Sequence, residues 1–179
     1  MTKKQNVHVS HNSGNYEWYT PGKYIEAAKE VMGDIDLDPA SSVIANKTVG
    51  AKKFYTKEDN GLEKEWAGKL WMNPPYSQPL IKQFSDKLVE EFKINKIIQA
   101  IVLVNNATDT QWLQKLLKVI DVACFIEGRI RFLDTEGNEG GAPLQGQVIL
   151  YLGKNSEKFS EVFNKFGIIL WKNNSKIKK

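Results

Sequence analysis

A near-continuous apolar segment, residues 97–104, lies in the middle of the chain and restricts the folds open to it. Only Gln99 interrupts the segment, which is far too short to span a bilayer. Apolar runs of this length are typical of strands in a parallel sheet, where helices cover both faces. The rest of the chain must therefore supply helices for the two sides of a sheet.

Helical and strand-like patterns alternate along the chain around that segment. Apolar spacing predicts helices over residues 21–32, 78–92, 110–118 and about 159–166. The other predicted strands are residues 34–37, 51–56, 69–72, 122–126, 130–133, 148–152 and 168–171. Thr20 and Ser77 are the expected N-caps of the first two helices, and Gly33 is expected to end the first in a left-handed turn.

This alternation predicts an α/β fold, a Rossmann-like three-layer sandwich with a mostly parallel sheet. The late strands 130–133 and 148–152, joined by a glycine-rich loop, predict an antiparallel edge. Ligands of such folds bind at the carboxyl ends of the strands. Two proline-containing corners, Asp38-Pro39 and Asn73-Pro74-Pro75-Tyr76, follow predicted strands at such ends.

Composition and charge set the expected domain plan and compartment. We expect one domain over residues 17–171, with a flexible polar segment (1–16) before it and a basic tail (172–179) after it. The whole chain has a net charge of +4, and the tail alone carries four lysines and no acidic residue. The rest of the chain is therefore about neutral, which permits an anionic partner without requiring one. The single cysteine, Cys124, and the polar start without a secretory signal predict a reducing cytoplasm. No cluster of His, Cys or Asp residues has metal-ligand spacing, so no metal is expected. The longest apolar segment is too short to span a bilayer, so no membrane partner is expected.

The tetrapeptide Asn73-Pro74-Pro75-Tyr76 is the most informative motif. Consecutive prolines lack N–H groups and have a fixed φ, so they hold their carbonyl groups rigidly outward. An Asn side-chain oxygen beside such a carbonyl gives two acceptors for a planar –NH2 group, and Tyr76 offers a ring face for stacking a base. A turn that only ends a strand is the structural alternative.

The whole ordered set of motifs resembles the phage-type DNA adenine methyltransferase (Dam-like) family over about residues 17–167. The segments that carry this resemblance are Glu17-Trp18-Tyr19-Thr20-Pro21, Ile35-Asp36-Leu37-Asp38-Pro39-Ala40-Ser41, Asn60-Gly61-Leu62, Trp66, Asn73-Pro74-Pro75-Tyr76, Asn105-Asn106-Ala107-Thr108-Asp109-Thr110-Gln111-Trp112 and Gly128-Arg129-Ile130-Arg131-Phe132.

The resemblance implies transfer of a methyl group from S-adenosylmethionine to the N6 amino group of an adenine flipped out of double-stranded DNA. It implies that Asn73, Pro74, Pro75 and Tyr76 are catalytic. The implied cofactor contacts are Trp18, Tyr19, Thr20, Pro21, Asp36, Asp38, Pro39, Ala40, Ser41 and Asp59. It also implies a phage or prophage source, a host cytoplasm and a monomer or weak dimer.

The chain departs from the wider methyltransferase superfamily at the cofactor corner. No Gly-rich loop is present, and Asp38-Pro39-Ala40-Ser41-Ser42 stands in its place. Only 35 positions (73 minus 38) separate Asp38 from Asn73, so the fold is expected to be shortened between the cofactor corner and the Asn-Pro-Pro-Tyr strand. The acidic residue for the ribose is therefore open between Asp59 and Glu58. An Asx turn or a helix cap is the alternative role of Asp38.

Candidate DNA contacts lie in two loops. Arg129 and Arg131 flank the loop 133–146, and Asn105 and Asn106 begin the loop 105–110. Arginines at a groove edge contact guanine or phosphate, although paired surface arginines on a solvated loop are equally compatible with the sequence. Two other functions stay open: the same chemistry on an amino or amide group of RNA or protein, and an inactive nucleic-acid-binding relative.

Overall fold

The computed structural model describes residues 18–140 and 143–172 of the chain. The predicted flexible segment 1–16, Glu17 and the basic tail beyond Lys172 lie outside this part. The helices are α1 (Gly22–Met32), α2 (Val43–Val49), α3 (Leu80–Lys93), α4 (Gln111–Leu117) and α5 (Ser156–Phe163). The strands are β1 (Leu37–Asp38), β2 (Lys53–Phe54), β3 (Gly68–Met72), β4 (Ile97–Asn105), β5 (Val122–Ile126), β6 (Gln147–Leu152) and β7 (Gly167–Trp171). Short 3₁₀ turns follow at Gly61–Glu63 and Asn164–Phe166.

The seven strands form one sheet in the order β2-β1-β3-β4-β6-β5-β7. Strands β2, β1, β3 and β4 are mutually parallel, whereas β6 is antiparallel to both of its neighbours and β7 is antiparallel to β5. This is the Rossmann-like α/β architecture predicted from the sequence. Only one strand, β2, lies between β1 and β3 along the chain, so the predicted shortening is present.

The apolar segment in mid-chain is strand β4, and it is buried on both faces as predicted. Its residues Ile101 and Leu103 belong to a core shared with α1 and α5, whereas Ala100, Val102 and Val104 belong to a second core shared with α3 and α4. The sheet is therefore the middle of three layers. Alternation of side chains across β4 divides its apolar residues between the two cores.

One predicted strand is wrong. Residues 130–133 alternate buried Ile130 and Phe132 with arginine, but in place of a ladder the backbone makes single bridges from Leu133 to Tyr19 and Glu139. The strand pattern reflects an extended segment packed into the core, and the antiparallel partner of β4 and β5 is β6, inside the sheet. The antiparallel edge itself is β7.

Helix ends also differ from the predictions. Neither Thr20 nor Ser77 caps a helix, because α1 begins after Pro21 and α3 begins after Pro79. Pro79 has no N–H group and restricts the backbone conformation of Gln78. Gly33 ends α1 with φ of 80°, as expected. Helix α2 was not predicted, although Ser42 caps it by accepting from Ala45 N and Gly50 ends it in the left-handed region.

Candidate active site

Three parallel neighbours, β1, β3 and β4, end at the same edge of the sheet. Asp38 is the last residue of β1, Asn73 follows the last residue of β3, and Asn105 is the last residue of β4. The carboxyl ends of parallel strands form the ligand-binding edge of an open α/β sheet. The fold therefore brings the Asp38 and Asn73 corners together, as the sequence predicted, and places the Asn105 corner at the same edge.

The Asn73 carboxamide is held at both ends. Its Nδ2 donates to Thr20 Oγ1 at 3.2 Å, and its Oδ1 accepts from the Tyr76 hydroxyl at 2.8 Å. Burial raises the pKa of the Tyr76 phenol, so the hydroxyl stays protonated and remains a donor. Pro74 is buried and Pro75 is exposed, so the corner is fixed on its inner side and open on its outer side.

Asp38 is a buried carboxyl group, with 3% of its surface exposed. Burial raises its pKa to about 7, although the Ser41 hydroxyl and the Ala40 N–H, which donates to Oδ1 at 3.2 Å, act in the opposite direction. The Ser41 Oγ atom is itself buried, and it lies near enough to the Asp38 carboxyl group to lower its pKa, although the two atoms do not have full hydrogen-bond geometry. The corner thus contains a buried carboxyl group and a buried hydroxyl group, both suited to a polar or cationic ligand.

Neighbouring segments press the Asp38 corner into place. Tyr55 N donates to Asp38 O, and Ser41 N donates to Tyr55 O, so β2 extends along the corner. A Cβ atom on Gly61 would lie 2.0 Å from the carbonyl oxygen of Pro39, so only glycine fits there. The buried Trp66 indole donates to Gly61 O at 2.8 Å and fixes the turn. Gly61 and Trp66 are therefore structural supports of the corner, a function their sequence motif does not reveal.

Two predicted cofactor residues, Asp36 and Asp59, have their own partners. The Asp36 carboxylate accepts from Lys69 N at 2.9 Å and pairs with Lys52 at 3.0 Å, near the start of β3 rather than its end. The structure does not bring Asp36 to the carboxyl edge. Asp59 follows strand β2, which pairs with β1, and so it lies toward the carboxyl edge of the sheet. Its carboxylate accepts from both N and Oγ1 of Thr56 at 2.9 Å. These bonds lower the pKa of Asp59 and close the turn.

The entry segment 18–21 lies between the Asn73 corner and the loop after β5. Thr20 contacts Asn73, as above, and Tyr19 exchanges two backbone hydrogen bonds of 2.8 Å with Leu133. Trp18 is 44% exposed and packs directly on Gly140. Pro21 lines a surface cleft of about 330 Å³ together with Lys23, Tyr24, Arg129, Arg131 and Glu139. Part of this segment is therefore within reach of a ligand.

Of the predicted DNA contacts, Arg129 and Arg131 line the same cleft. Arg131 is exposed and lies 3.8 Å from Glu139, and Arg129 and Asn106 are both packed close to Gly146. Asn105 Oδ1 accepts from Gln147 Nε2 at 3.3 Å. The fold brings these four residues to the edge where β4 ends and β6 begins. A larger cleft of about 630 Å³ lies along α1 and Lys165, but none of the predicted site residues lines it, so we place the site at the edge.

Gln147 is a site residue that the sequence analysis missed. It is 1% exposed, and besides Asn105 it contacts Gln145 O through Nε2 and Ile130 N through Oε1. It thereby fixes the end of β4 and the segment carrying the arginines in one network. The sequence feature that could have identified Gln147 is its position as a polar residue directly before the apolar run 148–152.

Neither a metal cluster nor a membrane helix is found in the part of the chain that the structure describes. Within residues 18–140 and 143–172, no three His, Cys, Asp or Glu side chains are grouped as metal ligands would be. Every helix in the same ranges is too short or too polar to cross a membrane.

The sheet order and the Asn-Pro-Pro-Tyr corner beside the acidic corner of the first strand define the class, a Rossmann-like methyltransferase. The chain matches the family model for DNA N-6-adenine-methyltransferase (Dam) over residues 8–175, and it belongs to that family.

Two curated phage proteins share this similarity, each called DNA N-6-adenine-methyltransferase. The protein of Escherichia phage T1 is 35% identical over 125 residues, covering 68% of this chain and 49% of the phage protein, so the chain spans about half of that relative's length. The protein of Haemophilus phage HP1 (strain HP1c1) is 29% identical over 128 residues, covering 68% of this chain and 69% of the phage protein.

Proposed function

We propose that this protein transfers a methyl group from S-adenosylmethionine to the N6 amino group of adenine in double-stranded DNA. The observation that carries the proposal is the Asn73 carboxamide, held by Thr20 and Tyr76 at the carboxyl edge beside the buried Asp38. Family membership supports the same reaction.

The Asn-Pro-Pro-Tyr corner would bind the reacting amino group. An exocyclic amine has two N–H donors, and the Asn73 side-chain oxygen and the Pro74 carbonyl are the two acceptors expected to receive them. Acceptors at both N–H groups raise electron density on the nitrogen and favour its nucleophilic form. Tyr76 would stack on the base, which has to leave the duplex because its amino group is otherwise paired.

The residues of the Asp38 corner fit S-adenosylmethionine. The cofactor carries an ammonium group, ribose hydroxyls and a sulfonium, and the corner offers a buried carboxyl group and the buried Ser41 hydroxyl. When bound, the cofactor would supply an electrophilic methyl group: the new N–C bond would form as the C–S bond breaks in line, the thioether would leave, and the amine nitrogen would release one proton to solvent. Asp38 and Ser41 would hold the donor, and Asn73 and Pro74 would align the amine with it.

Arg129 and Arg131 are the proposed phosphate or base contacts, with Asn105 and Asn106 beside them. Both arginines line the open cleft next to Pro21, and the entry segment connects that cleft to Asn73. DNA bound over this edge would place an extruded adenine toward the Asn73 corner. The positive side chains would also make binding depend on salt concentration.

The proposal is tested by incubating the purified protein with labelled S-adenosylmethionine and, separately, double-stranded DNA, RNA and unrelated protein. We expect label in DNA, as N6-methyladenine after digestion to nucleosides. Asn73→Ala should lower the rate at least about 100-fold, because an acceptor of the amine is lost. Asn164→Ala, an exposed asparagine before the edge strand β7, four strands along the sheet from β3, is the matched control and should keep wild-type activity. Label in RNA or protein but not DNA would refute the proposed substrate, and wild-type activity of Asn73→Ala would refute the proposed site.

A further inference from the structure

The Thr20 hydroxyl has a role that neither the sequence analysis nor the family assignment provides. Thr20 is 8% exposed and does not cap α1. Its side-chain oxygen instead accepts a hydrogen bond from Asn73, a residue 53 positions away. The two backbone bonds between Tyr19 and Leu133 and the fixed φ of Pro21 determine its position from both sides. Such a buried, anchored contact restricts the Asn73 side chain directly.

The two ends of a carboxamide are chemically opposite. The oxygen only accepts hydrogen bonds and the nitrogen only donates, so a half-turn of the amide would present N–H groups to an incoming amine, which is itself a donor. Asn73 therefore needs a partner that keeps its nitrogen away from the amine. In the structure that partner is Thr20, which accepts from Nδ2, while Oδ1 faces the Tyr76 hydroxyl.

Resting on the proposed function, we infer that Thr20 is a positioning residue that orients the Asn73 carboxamide with its oxygen toward the target amino group. Without the Thr20 oxygen, Nδ2 would be left without an acceptor on that side. Either end of the amide could then bond to Tyr76, because a phenol both donates and accepts, so the side chain would also occupy the orientation with its nitrogen at the Tyr76 oxygen. In that orientation the corner would repel the amine that it should bind.

The test uses Thr20→Val, which keeps the shape and removes the hydroxyl, and Thr20→Ser, which keeps the hydroxyl. We expect Thr20→Val to lower kcat roughly 10- to 100-fold with KM for DNA and for cofactor within about twofold, and Thr20→Ser to retain kcat within about threefold. Thr48→Val, on the exposed surface of α2, is the matched control and should behave as wild type.

A double-mutant cycle separates orientation from packing. In an Asn73→Asp background both side-chain atoms are oxygens, so no orientation has to be chosen and Thr20→Val should cost several-fold less in kcat than with Asn73 present. A loss of similar size in both backgrounds would overturn the inference. So would equal damage from Thr20→Val and Thr20→Ser, which indicates packing, or a loss confined to KM for the cofactor, which indicates a cofactor contact.

A spectroscopic readout is independent of activity. With asparagine labelled by ¹⁵N, the Asn73 side-chain amide of the wild-type protein should show one N–H protected from solvent exchange, and this protection should disappear in Thr20→Val and persist in Thr20→Ser. Absence of that protected N–H in the wild type would overturn the inference. If the wild-type protein methylates no DNA, the proposed function fails, while the amide signal still tests the orientation by Thr20.

Discussion

Replacement of the buried Asp38 carboxyl group by asparagine should stabilise the cofactor-free protein in a strongly pH-dependent way. Burial raises the pKa of Asp38 to about 7 in the folded state, against about 3.9 in an unfolded chain. Below about pH 3.9 the group is protonated in both states and has no effect on stability. As pH rises from there to about 7, the unfolded chain loses the proton while the folded protein keeps it, so the free energy of unfolding falls.

The full effect above about pH 7 is about 4 kcal/mol. Asparagine has a similar shape and does not titrate, so Asp38→Asn removes this penalty. It adds a cost of about 1–3 kcal/mol if its amide protons lack acceptors. That cost does not vary with pH. The difference in unfolding free energy between variant and wild type should therefore grow by about 2.5 kcal/mol from about pH 5 to about pH 8.

Urea unfolding of both proteins across this pH range, without cofactor, measures the difference directly. All other titrating groups contribute equally to both and cancel. A difference that stays constant over the range would show that Asp38 is not desolvated in the folded protein and would count against a cationic ligand at this corner. Calorimetric titration with S-adenosylmethionine completes the test, because the variant should bind more weakly although it is more stable.

Three further outcomes follow from single contacts. Gly61→Ala should lower the free energy of unfolding by about 3 kcal/mol in thermal or urea unfolding, because its Cβ would meet Pro39 O. The control Gly22→Ala, whose Cβ has an ordinary contact at 3.7 Å, should change it by about 0.5 kcal/mol or less. Equal effects of the two variants would contradict the contact with Pro39. Cys124 is buried and its pKa is raised to about 12, so iodoacetamide at about pH 8 should alkylate it only after unfolding, and rapid alkylation of the native protein would count against this burial. Arg129→Ala should reduce the slope of log affinity for DNA against log salt concentration by about 1, whereas Lys93→Ala, at the opposite edge of the sheet, should leave the slope unchanged. An unaltered slope in Arg129→Ala would show that Arg129 does not contact DNA.

The sequence predicted the parts of the fold that depend on local pattern. The apolar run of β4 implied helices on both faces, and the Asn73 and Asp38 corners implied a shared edge because each follows a strand. Helix α2 was missed because Val43 and Ile44 are exposed and give no amphipathic stripe. Residues 130–133 alternate like a strand, yet their backbone partners come from residues 19 and 140 and from the Gln147 side chain, which no local pattern encodes.

The candidate site shows the same limit. Thr20 has the sequence signature of an N-cap, but its oxygen serves Asn73 instead, and Gln147 and Gly61 act through contacts that join distant segments. Asp36 and Asp38 stand two positions apart and were predicted to share a site. Their side chains instead have different surroundings, because Asp36 lies level with the start of β3 and is bound by Lys69 and Lys52. Residue type and spacing therefore predicted which corners matter, whereas tertiary contacts determined which side chains face the ligand.

The shortened sheet explains why the chain tolerates the absence of a Gly-rich loop at the Asp38 corner. With one strand between β1 and β3, β2 is the edge strand, and no further strand within residues 18–140 and 143–172 supports the Asp38 corner from outside. The segment after β2 folds back instead, placing Gly61 on the carbonyl of Pro39 and anchoring itself through the buried Trp66. The glycine that permits close backbone approach thus stands in the chain about 20 residues after the corner it supports. Cofactor binding and the packing of residues 61–66 should consequently be coupled, so that Gly61→Ala weakens both, while Gly22→Ala weakens neither.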